Sequence, residues 1–283
     1  MAARQAPCYA PPEMNAVGEL LRHWRTTRRL SQLELGLEAG VSARHISFLE
    51  TGRSRPSPEM VVALSSVLDV PLRERNTLLN AAGYAPLYRE TSLDDPQMAQ
   101  VRQALELILK QHEPFGAVAF DRRWDVVMVS PAYARFYELL VGAGPPPLAV
   151  IPPPRPNLLR LLLDPQALRP HIVNWEAAAR AVLARAHREM AWDSDPEARE
   201  LLRSLHAYPD VPARWEEIDL ESPSALVVPV ELRLGEQTLR LFSTLTTLGS
   251  PQDITLQELR IESFHPVDEA TARLARSMMG PAQ

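Results

Sequence analysis

One cysteine in 283 residues, Cys8, has no second thiol for an intrachain disulfide and cannot build a thiolate metal site. No stretch approaches the roughly 18 consecutive apolar residues of a membrane-spanning helix. The residues around Pro7, Pro11 and Pro12 lack the apolar run of a secretion signal, so a cytoplasmic protein with no membrane partner is expected. There is no glycine-rich phosphate loop, nucleophile elbow or HExxH pair. None of the seven histidines (His23, His45, His112, His171, His187, His206, His265) lies three or four residues from another. Metal-assisted and hydrolytic chemistry have no carrier here, and a non-enzymatic protein without a metal or required cofactor is expected.

What is present is the composition of an ordinary globular protein, 46% apolar and 23% charged, at a length that suits two domains. The net charge of −5 divides unevenly. The first ninety residues carry 11 arginines against 9 acidic residues, the remainder 19 basic against 26 acidic. Arg22, Arg25, Arg28, Arg29, Arg44, Arg53 and Arg55 cluster around the central helices of the first part, a basic face suited to phosphates.

After a proline-bearing leader over 1–14, expected to be disordered, Val17, Leu20, Leu21 and Trp24 recur at helical spacing, predicting a first helix to about Arg29. Ser31 reads as an N-cap and Glu34 completes a capping box, opening a second helix with Leu33 and Leu37 toward the core. A turn at Ala39-Gly40-Val41-Ser42 leads to a third helix with Ile46 and Leu49 inside. A fourth helix opens at Pro56-Ser57-Pro58, and a fifth follows Pro71 and stops at Gly83. Two short helices across a glycine turn let the second enter the major groove while the first crosses the backbone. Gln32 is placed for a phosphate. Ser42, Ala43, Arg44, His45 and Ser47 occupy the N-terminal part of the third helix, where Arg44 suits guanine; His45 is either a base contact or a bystander. Arg53 and Arg55 read as phosphate contacts or as solvated surface charges.

The Ser31-Gln32 helix start, the Ala39-Gly40-Val41-Ser42 turn and the Ile46-Ser47-Phe48-Leu49-Glu50-Thr51-Gly52 ending resemble the XRE family of helix-turn-helix domains, the lambda repressor and Cro type, over residues 15–83. The resemblance implies a structural role for Glu50 and Gly52 and DNA-facing roles for Gln32, Ala43, Arg44 and His45. Ala43 departs from the glutamine often found at its position.

Residues 91–96 form a polar junction before a helix over about 97–112. Phe115–Asp121 and Trp124–Ser130 read as a hairpin, Pro131 as the start of a helix, and 142–156, rich in proline, as an extended loop. Residues 157–218 read as helical. Leu226–Leu234, Thr238–Leu248 and Ile254–Phe264 read as three antiparallel strands, followed by a helix from Pro266. The expected fold is α+β: a five-helix all-α domain over 15–90, then over 91–283 an antiparallel sheet of about five strands with inserted helices, serving ligand binding and dimerisation. The runs Phe120–Val127, Asn157–Leu163 and Asn174–Arg180 resemble the MmyB-like regulators, in which an XRE domain precedes a PAS-like ligand-binding domain. That resemblance implies a bound fatty acid or similar lipid as effector. Trp124, Tyr133, Phe136, Tyr137, Leu161, Leu162 and Trp175 then supply walls, with Arg160 or His171 to meet a carboxylate; each aromatic alone serves equally as core filling. The expected whole is a homodimer on an inverted-repeat operator in double-stranded DNA, sensing a small apolar ligand. The alternative makes the second domain a constitutive dimerisation and partner-docking module.

Overall fold

The computed structural model describes residues 15–190, 195–211 and 229–279; Cys8, the leader, residues 191–194 and 212–218 of the expected helical stretch and the expected strand start at 226–228 lie outside them. The chain divides into two units, one of residues 1–91 with 250–257, the other of 92–249 with 258–283.

The first unit holds α1 (Asn15–Thr27), α2 (Gln32–Glu38), α3 (Ala43–Glu50), α4 (Pro58–Val67) and α5 (Leu72–Ala81). Three starts are set by serines. Ser31, Ser42 and Ser57 each accept a hydrogen bond from the backbone N–H three residues on, and Glu34 returns to the Ser31 N–H at 2.6 Å. Val17, Leu21, Trp24, Leu35, Ile46, Leu49, Val61, Leu64 and Leu78 close over a common core, each fully buried aliphatic side chain contributing about 1.5–3 kcal/mol. The face of α2 differs from the sequence expectation: Leu33 and Leu37 are 59% and 73% exposed, while Leu35 and Gly36 are buried. A Cβ on Gly36 would stand 2.7 Å from the Val41 carbonyl oxygen. The backbones of α2 and the following turn approach so closely that glycine, not leucine, marks the inward side.

Residues 250–257 belong to this unit rather than to the domain in which sequence order places them. Ile254 is buried and donates its N–H to the Arg89 carbonyl at 2.8 Å, and Thr91 Oγ1 donates to Asp253 Oδ2 at 2.6 Å. Pro71, at the cap of α5, has no side-chain oxygen to offer; Gln257 Oε1 accepts the Leu72 N–H at 2.6 Å instead.

In the second unit a 3-10 turn at Pro96–Met98 leads into α6 (Ala99–Lys110). Then come β1 (Ala117–Phe120), β2 (Val126–Val129), α7 (Pro131–Val141), α8 (Leu158–Leu163), α9 (Trp175–Met190) and α10 (Pro196–Leu205). β3 (Val230–Leu234), β4 (Gln237–Thr246), β5 (Arg260–Pro266) and α12 (Glu269–Met278) complete this unit, while α11 (Ile254–Glu258), between β4 and β5, falls almost wholly in the segment that belongs to the first unit. The sheet runs β2-β1-β5-β4-β3 with every neighbour antiparallel, so the late strand β5 pairs with the early hairpin. β1 and β2 are buried throughout. The single strand expected over Ile254–Phe264 is instead a short helix and β5. Asp253 Oδ1 accepts the Thr255 N–H at 2.9 Å, and that local turn starts a helix where β-branched residues suggested a strand. The final helix begins at Asp268, its N-cap, because Pro266 still belongs to β5.

Candidate functional site

On the first unit, the outer face of α3 carries Arg44, and Arg53 follows in the loop after the helix. Ser42 and Arg44 are exposed, and Ala43, His45 and Ser47 half-buried. The Ser42 hydroxyl accepts the His45 N–H as a cap and keeps its own proton to donate. The guanidinium carbons of Arg44 and Arg53 lie 5.2 and 5.8 Å from the centre of the Phe48 ring. Among the described residues neither arginine forms an ion pair, so the aromatic ring holds two cations at the surface without neutralising them.

Beneath this face sits a buried polar cluster. Arg25 Nε and Nη2 donate to the two Glu50 carboxylate oxygens at 2.5 and 2.9 Å, and Nη1 to the Leu30 carbonyl at 2.7 Å. The Glu50 hydrogen bond raises the Arg25 pKa above its ordinary value. Gln32 Nε2 donates to Glu50 Oε2 at 2.9 Å, which engages one of its two amide protons. The basic face is thus smaller than the arginine count implied. Arg25 is internal; Arg28 donates to the Leu68 carbonyl; Arg55 donates to the Ala82 carbonyl at 2.9 Å and stacks 5.1 Å from the Tyr84 ring. Arg55, expected at a phosphate, ties the loop after α3 to the end of α5. Arg22, Arg29, Arg44 and Arg53 are exposed, as are Arg28 and Arg55 despite their carbonyl partners.

The second unit contains a cavity of about 130 Å³, roughly ten times the space one water requires. Of the expected lining residues it brings together Trp124, Tyr133, Phe136, Tyr137 and Leu162, adding Leu232 and Leu241 from the sheet and Phe264 and Glu262 from β5. Arg160, Leu161, His171 and Trp175 are not among the described lining. Arg160 is exposed and donates to Ser204 Oγ at 3.1 Å. Leu161 and His171 lie half-buried on either side of the turn after α8. Trp175 packs half-buried against the helical core beneath Arg169, whose guanidinium carbon is 4.0 Å from the indole, and spends its N–H on the Leu162 carbonyl.

Trp124 is 2% exposed with φ +65°, a left-handed conformation that is costly for a bulky residue. Asp121 enforces it: its carboxylate accepts the N–H groups of Arg123 and Asp125, and its carbonyl that of Trp124. The indole is stacked 5.1 Å from Phe120, and Arg185 lies 4.4 Å over its ring. Burial raises the pKa of Tyr133 and of Tyr137, so both phenols stay neutral. Glu262 and Arg185 escaped the sequence reading, yet each carried a signal. Glu262 alternates with Phe264 on one side of a strand, and Arg185 falls three residues from the lining residue Val182 on α9.

The sequence model of the MmyB-like transcription regulator ligand binding domain matches residues 101–278, and a helix-turn-helix model matches residues 21–75. The uncharacterized HTH-type transcriptional regulator RghRB of Bacillus subtilis is 35% identical over 78 residues, 27% of this chain and 54% of that protein. The chain thus spans about half the length of this curated relative. Among solved structures, the restriction-modification controller protein C.AhdI from Aeromonas hydrophila is 28% identical, the match covering 22% of this chain and 96% of that one with a TM-score of 0.22. The clp gene regulator ClgR from C. glutamicum is 27% identical over 26% of this chain and 92% of that one, with a TM-score of 0.23.

Proposed function

The chain belongs to the MmyB-like transcription regulators, DNA-binding helix-turn-helix proteins with a ligand-binding domain, and from that premise we propose what it reads and what it senses. α3 enters the major groove, with Arg44 on a base edge, His45 and Ser47 beside it, and Ala43 close against the bases. Gln32, Ser42 and Arg53 hold the phosphates. Two copies read an inverted repeat, since one recognition helix covers only a half-site. The cavity takes a small apolar ligand, a fatty acid or similar lipid, and its occupancy shifts operator affinity. The observation that carries the DNA reading is the pair of exposed guanidinium groups flanking Phe48, free of carboxylate partners among the described residues.

Operator sequences selected from random duplexes test it. Arg44→Ala is expected to weaken binding to the selected site by about 1–3 kcal/mol and to relax preference at one base pair; unchanged affinity and preference would refute the assignment. For sensing, mass spectrometry of the purified protein should find a bound lipid. Operator affinity identical with and without saturating amounts of it would leave the second domain a constitutive dimerisation module.

A further inference from the structure

Apart from the Tyr133 and Tyr137 phenols and the Trp124 indole N–H, which has no hydrogen-bond partner among the described residues, the cavity wall is apolar except at one point. Among the described lining residues Glu262 alone is charged, and its side chain is 14% exposed. Its oxygens are incompletely satisfied. Oε1 accepts Ser243 Oγ at 2.5 Å, while Arg185 Nη1 stands 3.5 Å from both oxygens, too far for a strong hydrogen bond. A carboxylate accepts at about four positions, so Glu262 has capacity left.

An arginine behind a lipid pocket invites the role of carboxylate clamp, and the geometry opposes it. Arg185 Nε is engaged by Glu189 at 2.9 Å, Nη1 faces Glu262, and Nη2 is buried without a polar partner among the described residues, the guanidinium lying over the Trp124 and Phe120 rings. Two carboxylates already share its one charge. A third would meet Glu262 at close range, and like charges so placed disfavour one another.

Resting on the lipid-sensing reading above, we propose that this cavity selects an amphiphile whose head donates a hydrogen bond to Glu262, an alcohol or an amine or a carboxylic acid in its neutral form, and rejects a carboxylate. Probes of a single chain length confine the comparison to the head group. Binding of 1-decanol, methyl decanoate and decanoate to the full-length protein at pH 8 is measured by competition against a fluorescent apolar probe. Decanol is expected to bind at least tenfold more tightly than decanoate and severalfold more tightly than the ester, which has no donor. In Glu262→Gln, whose amide can donate, decanoate is expected to gain at least fivefold and the advantage of decanol to shrink. Equal binding of the three by the native protein, or tighter binding of decanoate, overturns the head-group assignment while leaving the apolar pocket intact. Failure of all three to bind overturns the pocket reading as well.

Discussion

Glu50 is gripped by two nitrogens of Arg25 and by Gln32, all three side chains coming from different helices. Removing one partner of a buried charge pair leaves the other without compensation, at a cost of about 3–5 kcal/mol. Glu50→Ala is therefore expected to destabilise the first unit by that order, read as lost hydrogen-exchange protection in α1 to α3; an unchanged urea midpoint for these amides would show the pair to be ornamental. Arginine identity in the sequence did not reveal where a guanidinium goes. Arg25, Arg28 and Arg55 end on acceptors 25, 40 and 27 residues away, distances that only the packed fold defines. Arg53 and Arg55, two positions apart, consequently separate by experiment. Arg53→Ala should weaken binding to all duplexes and lower the salt slope by about one counterion. Arg55→Ala should lower stability and leave that slope unchanged. Equal effects on the slope would return Arg55 to the DNA interface.

At the scale of elements, what was legible was what is local. The caps of α2, α3 and α4 need only a serine and the N–H three residues on, and α7 announces itself by Ser130 followed by Pro131. The aromatic wall of α7 was legible for the same reason. Which side of a short helix faces inward is decided by its neighbour, so α2 was read with Leu33 and Leu37 inside where Leu35 and Gly36 stand. The corrected face has a measurable consequence. Leu35→Ala is expected to cost about 2–5 kcal/mol, whereas Leu33→Ser and Leu37→Ser should each stay within about 0.5 kcal/mol. Urea unfolding decides, and the opposite ranking would restore the sequence expectation. Glu262 and Arg185 were missed because a strand paired to a hairpin some 140 residues earlier, and a helix laid beside it, are facts of sheet closure.

For the whole molecule, the path of the chain matters more than the sum of its units. It leaves the sheet after β4, gives residues 250–257 to the helical unit, and returns as β5, whose Glu262 and Phe264 line the cavity together with Leu241 of β4. A ligand influences DNA binding only through a difference in how the two states hold something, and this segment is covalently continuous with two strands of the pocket wall while Asp253 and Gln257 hold Thr91 and the start of α5. Buried Ile254 and the hydrogen bonds of Asp253 and Gln257 anchor it, and coupling between sites amounts to about 1–3 kcal/mol in general. Asp253→Ala removes the acceptor for Thr91 without touching α3 or the cavity lining. Operator affinity without ligand is expected to stay within about twofold of the native value, because the recognition surface is intact, while the change produced by saturating ligand should fall by at least half. Titration of labelled operator with native and variant protein, each with and without ligand, gives the four constants required. A variant retaining the full ligand effect would show that the signal does not pass along residues 250–257, and one that lost operator binding in both states would show the segment to be part of the helical fold alone.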